Sequence, residues 1–141
     1  MVENVSYLPL VLGMSRKARR RLAYETLRRV GLAHRMSAFP RELSGGEQQR
    51  IAIARAIINE PEILLADEPT GNLDPHLSRD IFQIFREINL KGTTVLIATH
   101  DWDLVHQMGQ RVLRVDEGQI VSDEDCPGSR THEEEGGGDR P

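Results

Sequence analysis

The hydrophobic positions of this chain change period as they run along it. Over residues 15–35, Leu22, Ala23, Thr26, Leu27 and Val30 share one helical face, and Arg20, Arg21, Arg28 and Arg29 lie on the other. Ser15 is placed to cap the start of that helix and Gly31 to end it. From Phe39 onward, helices and strands alternate. Residues 44–59 have helical spacing, with Ile51, Ala54 and Ile58 on one side and Pro61 as the stop. Residues 63–66 form a continuous apolar run, which predicts a short strand buried on both faces. Asp74-Pro75 reads as an N-cap followed by proline at the first helical position, and Leu77, Ile81, Ile84, Phe85 and Ile88 mark the helix. Residues 93–99 are rich in β-branched side chains and predict a second buried strand. A short helix over about 101–108 follows, then a hairpin of 111–115 and 119–121 around Asp116-Glu117-Gly118. Strand, helix, strand in this order predicts an α/β fold with a parallel central sheet and antiparallel edge strands.

Composition narrows the setting. The chain has 141 residues, enough for one domain, and 38% hydrophobic residues, enough for a packed core. Its net charge of −4 conceals an asymmetry. Residues 122–141 hold seven acids and two bases, with a Glu133-Glu134-Glu135 run and three consecutive glycines. That segment has too little apolar surface to offset ordering entropy, so a disordered tail is expected there. Residues 15–35, in contrast, hold eight bases and one acid. The basic stretch is either a solvated face or a surface for an anionic membrane or acidic partner. Only six aromatic residues are present, with Tyr24 alone inside this stretch, so nucleic-acid stacking is not indicated. No apolar run approaches the roughly 20 residues that cross a bilayer. The lone cysteine, Cys126, excludes an internal disulfide framework, and a cytoplasmic setting is expected.

Three clusters carry candidate chemistry. In Leu43-Ser44-Gly45-Gly46-Glu47-Gln48-Gln49-Arg50, Ser44 and Glu47 have capping-box spacing. Two glycines in the first helical turn cost about 1 kcal/mol each relative to alanine, which asks for a reason. A glycine-lined helix start is an anion site by geometry and dipole, although an ordinary capped helix satisfies the spacing equally. Asp67 and Glu68 close the apolar run, at the strand end where open α/β sheets bind ligands. Asp67 can serve Mg²⁺ and Glu68 can polarise a water, unless both are solvated loop acids. Thr99-His100-Asp101 ends the second strand; His100 could reach a phosphate, and Asp101 could cap the next helix or orient the imidazole. The other histidines have no such setting.

Together these clusters resemble the motifs of ATP-binding cassette (ABC) ATPases. Residues 43–50 resemble the family signature, 63–68 the Walker B strand with its catalytic glutamate, Gly71-Asn72-Leu73-Asp74 the D-loop, and His100 the switch histidine. The resemblance implies the C-terminal portion of a P-loop NTPase domain. Residues 1–37 would be a remnant of the helical subdomain, 38–121 the C-terminal part of the ATPase core, and 122–141 the tail. It implies ATP and Mg²⁺ as cofactors. Ser44, Gly45, Gly46, Glu47 and Gln48 would bind ATP held by the other subunit of a homodimer. Asp67 would help hold Mg²⁺, Glu68 and His100 would be catalytic, and Asn72 and Asp74 would couple the two sites. The implied partner is a permease-like membrane subunit, with no nucleic acid, at the cytoplasmic face of the inner membrane.

The run 66–74 is similar to the group of lipoprotein-releasing, macrolide-exporting and cell-division ATPases. Glu3-Asn4-Val5, Leu8-Pro9-Leu10, residues 39–53, Ile84-Phe85, Ile88-Asn89 and 92–101 resemble most the cell-division branch. An export subunit and a non-catalytic, partner-binding fragment are the alternatives. The P-loop pattern G-x-x-x-x-G-K-[ST] is absent: Lys17 follows Arg16, Lys91 follows Leu90, and there is no third lysine. The expectations are therefore that these 141 residues alone do not hydrolyse ATP, and that they are a truncation, a gene fragment or a product of a misplaced start.

Overall fold

The structure is a computed structural model that describes residues 1–125. The chain divides into two units, 1–99 and 100–141. The first contains helices α1 (Val2–Val5), α2 (Tyr7–Val11) and α3 (Arg16–Arg29), then 3-10 turns at Ala33–Arg35 and Pro40–Glu42. Helix α4 (Gly45–Ile57), strand β1 (Ile63–Asp67), helix α5 (Pro75–Leu90) and strand β2 (Thr94–Ala98) complete it.

Helix α3 begins and ends as its sequence dictates. The Ser15 hydroxyl accepts the Ala18 N–H at 3.3 Å. At the other end Gly31 adopts φ 77, the Leu32 N–H reaches the Leu27 carbonyl, and the Gly31 N–H reaches that of Arg28. This is the Schellman pattern that a left-handed glycine permits. Of the buried stripe of α3 (Ala23, Thr26, Leu27), Ala23 and Leu27 pack into one cluster with Val5, Ile51, Ile57, Ile81, Phe85 and Ile88. Residues on both sides of position 37 thus share a single core.

β1 and β2 pair in parallel, from Ile63 opposite Thr94 to Asp67 opposite Ala98. Leu64, Val95 and Ile97 face the helical core. The other face differs from the expectation of strands buried on both sides: Leu65 is 70% exposed, Ile63 62% and Leu96 55%. The apolar run is continuous, but the described residues supply a covering layer on one side only. Residues 1–14, to which the periodicity gives no element, form α1 and α2, helices too short to show a period.

The second unit holds α6 (Trp102–Met108) and a hairpin of β3 (Val112–Asp116) and β4 (Gln119–Glu124). Glu117 and Gly118 both take positive φ, the geometry of a tight two-residue hairpin turn. The hairpin forms its own two-stranded sheet, rather than edge strands of the parallel one. β4 also continues through Ser122, Asp123 and Glu124, which correct the expected start of the tail at 122. Arg111 holds Asp123 through two hydrogen bonds, of 2.8 and 2.6 Å, so part of the tail's acidity is used in strand pairing. Cys126 and the rest of the acidic run lie outside the described residues. Among the described residues no helix is long and apolar enough to cross a membrane.

Candidate functional site

The start of α4 is built from the residues that its spacing singles out. Ser44 is the N-cap: its hydroxyl accepts the Glu47 N–H at 3.3 Å, and Glu47 Oε2 accepts the Ser44 N–H at 3.0 Å. Arg35 donates to the remaining oxygen, Oε1, at 2.8 Å. The Ser44 N–H and the Arg35 guanidinium together hold the Glu47 carboxyl below the usual carboxylate range. Gln48 turns back and donates its amide to the Leu43 carbonyl at 3.1 Å. Glu47 and Gln48 are therefore engaged in shaping the helix start.

The two glycines have different reasons. A Cβ on Gly46 would lie 3.3 Å from Leu77 Cδ1, tighter than ordinary contact, so the Leu77 side chain of α5 would have to shift by a few tenths of an ångström to admit it. A Cβ on Gly45 would meet only Leu73 Cδ2, at an ordinary 3.7 Å. Gly45 is exposed, so packing within the chain does not demand a glycine there. The same contacts bring the 71–74 loop against the start of α4. Asp74 ends that loop as the N-cap of α5, its Oδ1 accepting the His76 and Leu77 N–H groups at 3.0 and 3.1 Å. Asn72 lies beside it in an exposed position.

At the end of β1, Asp67 and Glu68 are both exposed. Glu68 has φ 43, a left-handed conformation that non-glycine residues seldom adopt and that concentrates at functional sites. Backbone bonds hold it there: the Glu68 N–H donates to Ala98 at 2.9 Å, and the Glu68 carbonyl accepts the Gly71 N–H at 3.2 Å. The Thr99 hydroxyl approaches Glu68 Oε2 at 3.4 Å. Strand pairing thus supports the carboxylate from β2.

His100 belongs to the second unit and is exposed. Asp101 caps α6, its Oδ1 accepting the Leu104 N–H at 3.1 Å. Sequence reasoning gave no role to Arg35 or Thr99, the partners of Glu47 and Glu68. Their separations of 12 and 31 positions leave no local signal. Among the described residues no three carboxylate, imidazole or thiol groups converge as a metal cage.

These motifs agree with what the chain is similar to. The family described as ABC transporter matches residues 1–71. The chain is 52% identical over 122 residues, 86% of its length, to the cell division ATP-binding protein FtsE of Streptococcus pneumoniae serotype 2 (strain D39 / NCTC 7466), and covers 53% of that protein. To FtsE of Escherichia coli (strain K12) it is 47% identical over 118 residues, covering 84% of this chain and 53% of that one. Among solved structures, the dimeric ATP-binding cassette MJ0796 bound to ADP and Pi superposes with a TM-score of 0.74 at 39% identity, over 90% of this chain and 56% of that one. For cbiO1 from Clostridium perfringens, part of the ABC transporter complex cbiONQ, the TM-score is 0.79 at 30% identity, over 86% and 49%. The chain spans about half the length of the curated relatives it matches.

Proposed function

The chain belongs to the ABC transporter family, and from that premise we propose that it supplies the signature, Walker B, D-loop and switch segments of an FtsE-type ATPase. The observation that carries the reading is the end of β1. There two adjacent carboxylates stand at the carboxyl edge of a parallel pair, one of them on left-handed backbone and supported by Thr99.

Each residue has a task in this reading. Asp67 would present hard oxygen to a Mg²⁺ ion. The ion supplies charge neutralisation on the phosphates of ATP. Glu68 orients and polarises the attacking water, and His100 contacts the γ-phosphate. Ser44 and Gly45 turn a helix N-terminus toward the γ-phosphate held by a second subunit, with Glu47 and Gln48 keeping that turn in shape. Gly46 lets α4 pack closely on α5. Asn72 and Asp74 link the two sites of the homodimer, Asp74 through its cap on α5.

The partner is a permease-like membrane subunit of the FtsX kind, reached through the basic α3 region. The assembly acts in cell division, peripherally on the cytoplasmic face of the inner membrane. The 141 residues lack G-x-x-x-x-G-K-[ST], so nothing in them cradles the β- and γ-phosphates, and alone they do not turn over ATP. The test is Mg-ATP hydrolysis by a cassette in which these residues are joined to a P-loop-bearing segment. Glu68→Gln is expected to slow it by about 10²–10⁴-fold, the range for a positioned acid–base group. Near-normal turnover in that variant removes Glu68 from the role.

A further inference from the structure

Arg50 lies in α4, beyond the residues that form its N-terminal cap, and bridges two other helices. Its Nη1 donates to the Val30 carbonyl at 3.1 Å, and its Nη2 donates to Asp80 Oδ2 at 3.1 Å. Val30 is the C-cap of α3, and Asp80 lies in the second turn of α5. The Val30 carbonyl is one of the acceptors a helix end leaves without an intrahelical donor. A guanidinium there also meets the negative end of the α3 dipole. The fork geometry of arginine allows both bonds at once; a lysine offers a single point.

The surroundings are arranged for this link. Gly31 takes φ 77, and a Cβ there would lie 3.2 Å from Arg50 Nη1. Glycine at this position therefore serves both the turn and the approach of the guanidinium. An open cleft lies at the same place, lined by Arg28 and Arg29 of α3 and by Gln83 and Glu87 of α5. Across that opening, the two Arg50 bonds tie α3 to α5 through α4. The Arg50 side chain is only 21% exposed, so these bonds are partly sheltered from solvent.

We propose that Arg50 is a positioning residue: it fixes the end of α3 and the start of α5 to the helix whose N-terminus carries Ser44 and Gly45. A displacement of basic α3 is thereby transmitted to the direction in which that N-terminus points. The functional consequence rests on the reading of α4 given under Proposed function; the mechanical link does not.

Two measurements separate the parts. In the joined cassette, Arg50→Gln weakens Mg-ATP-driven self-association about tenfold, the scale of one charged hydrogen bond. Arg50→Lys and Asp80→Asn, which each keep one bond, weaken it less. The affinity of the monomer for a fluorescent ATP analogue stays unchanged in all three, which a general loss of structure would not allow. Self-association of Arg50→Gln equal to the parent, or analogue affinity falling in step with it, overturns the proposal. Amide hydrogen exchange on the 141-residue chain is the second measurement. Arg50→Lys, the milder variant, speeds exchange at Leu32 and also at Glu47 if the link operates. Faster exchange at Leu32 alone overturns it. Parent cassettes that fail to associate with ATP remove the reading of α4, and the exchange result then decides the mechanical link by itself.

Discussion

The start of α4 and the end of β1 carry the two halves of the proposed chemistry, and they are built in opposite ways. At α4, Ser44 and Glu47 bond each other, Arg35 takes the spare carboxylate oxygen, and Gln48 closes on Leu43. This end is completed by short-range geometry and one ion pair. At β1, Asp67 and Glu68 stand exposed on a strand whose Leu65, two positions earlier, is 70% exposed. One carboxylate there sits on backbone that must be held by the neighbouring strand. Binding geometry can be written into a few consecutive residues. The carboxylates at β1 depend on a parallel strand pair, and parallel sheets are normally covered on both faces.

The largest effect should come from neutralising the carboxylate at the end of β1. Glu68→Gln leaves folding intact and slows hydrolysis in the joined cassette by about 10²–10⁴-fold. A variant with the same stability and full turnover erases the contrast. Next comes the contrast between the helical core and the uncovered strand face. Ile57, 1% exposed in the helical core, should cost about 2–5 kcal/mol on truncation to alanine. Leu65→Thr, on the uncovered face, should stay within about 0.5 kcal/mol in the 141-residue chain. Denaturant titration of both checks this, and equal losses would mean that the second face is covered in solution.

A smaller effect is expected at the cap. Ser44→Ala should destabilise by about 0.5–2 kcal/mol, read as a lower denaturant midpoint. The pH dependence has a defined sign. Because the folded-state pKa of Glu47 is lowered, its contribution is present above the ordinary glutamate pKa of about 4.3 and is lost as pH falls through the folded value. Comparing midpoints for the parent and Glu47→Gln should show the difference shrinking as pH falls through that window. A pH-independent difference would show that the Ser44 and Arg35 bonds do not stabilise the charged form.

Much of this was legible in the sequence where the determinant is local. Ser15, Ser44 and Asp74 cap their helices as their spacing requires, and Glu117-Gly118 makes the hairpin turn. The four family motifs were likewise contiguous runs. What the sequence did not show was set by distant partners. The continuous apolar run 63–66 says that a strand can be buried on both faces, not which layers are present. Arg35, Thr99 and Arg50 carry no role of their own in the sequence, and only folding brings them to Glu47, Glu68 and the end of α3. The acidic composition from 122 onward hid the last strand residues, because Asp123 pairs with Arg111 across the hairpin.

The most direct test of the central claim is phosphate release from Mg-ATP by the 141-residue chain, alone and joined to a P-loop-bearing segment, each with and without Glu68→Gln. The account predicts no release from the chain alone, turnover from the joined form, and loss of that turnover in the variant. Release by the chain alone that falls in Glu68→Gln would contradict it, since these residues would then complete a hydrolytic site without the phosphate-cradling loop.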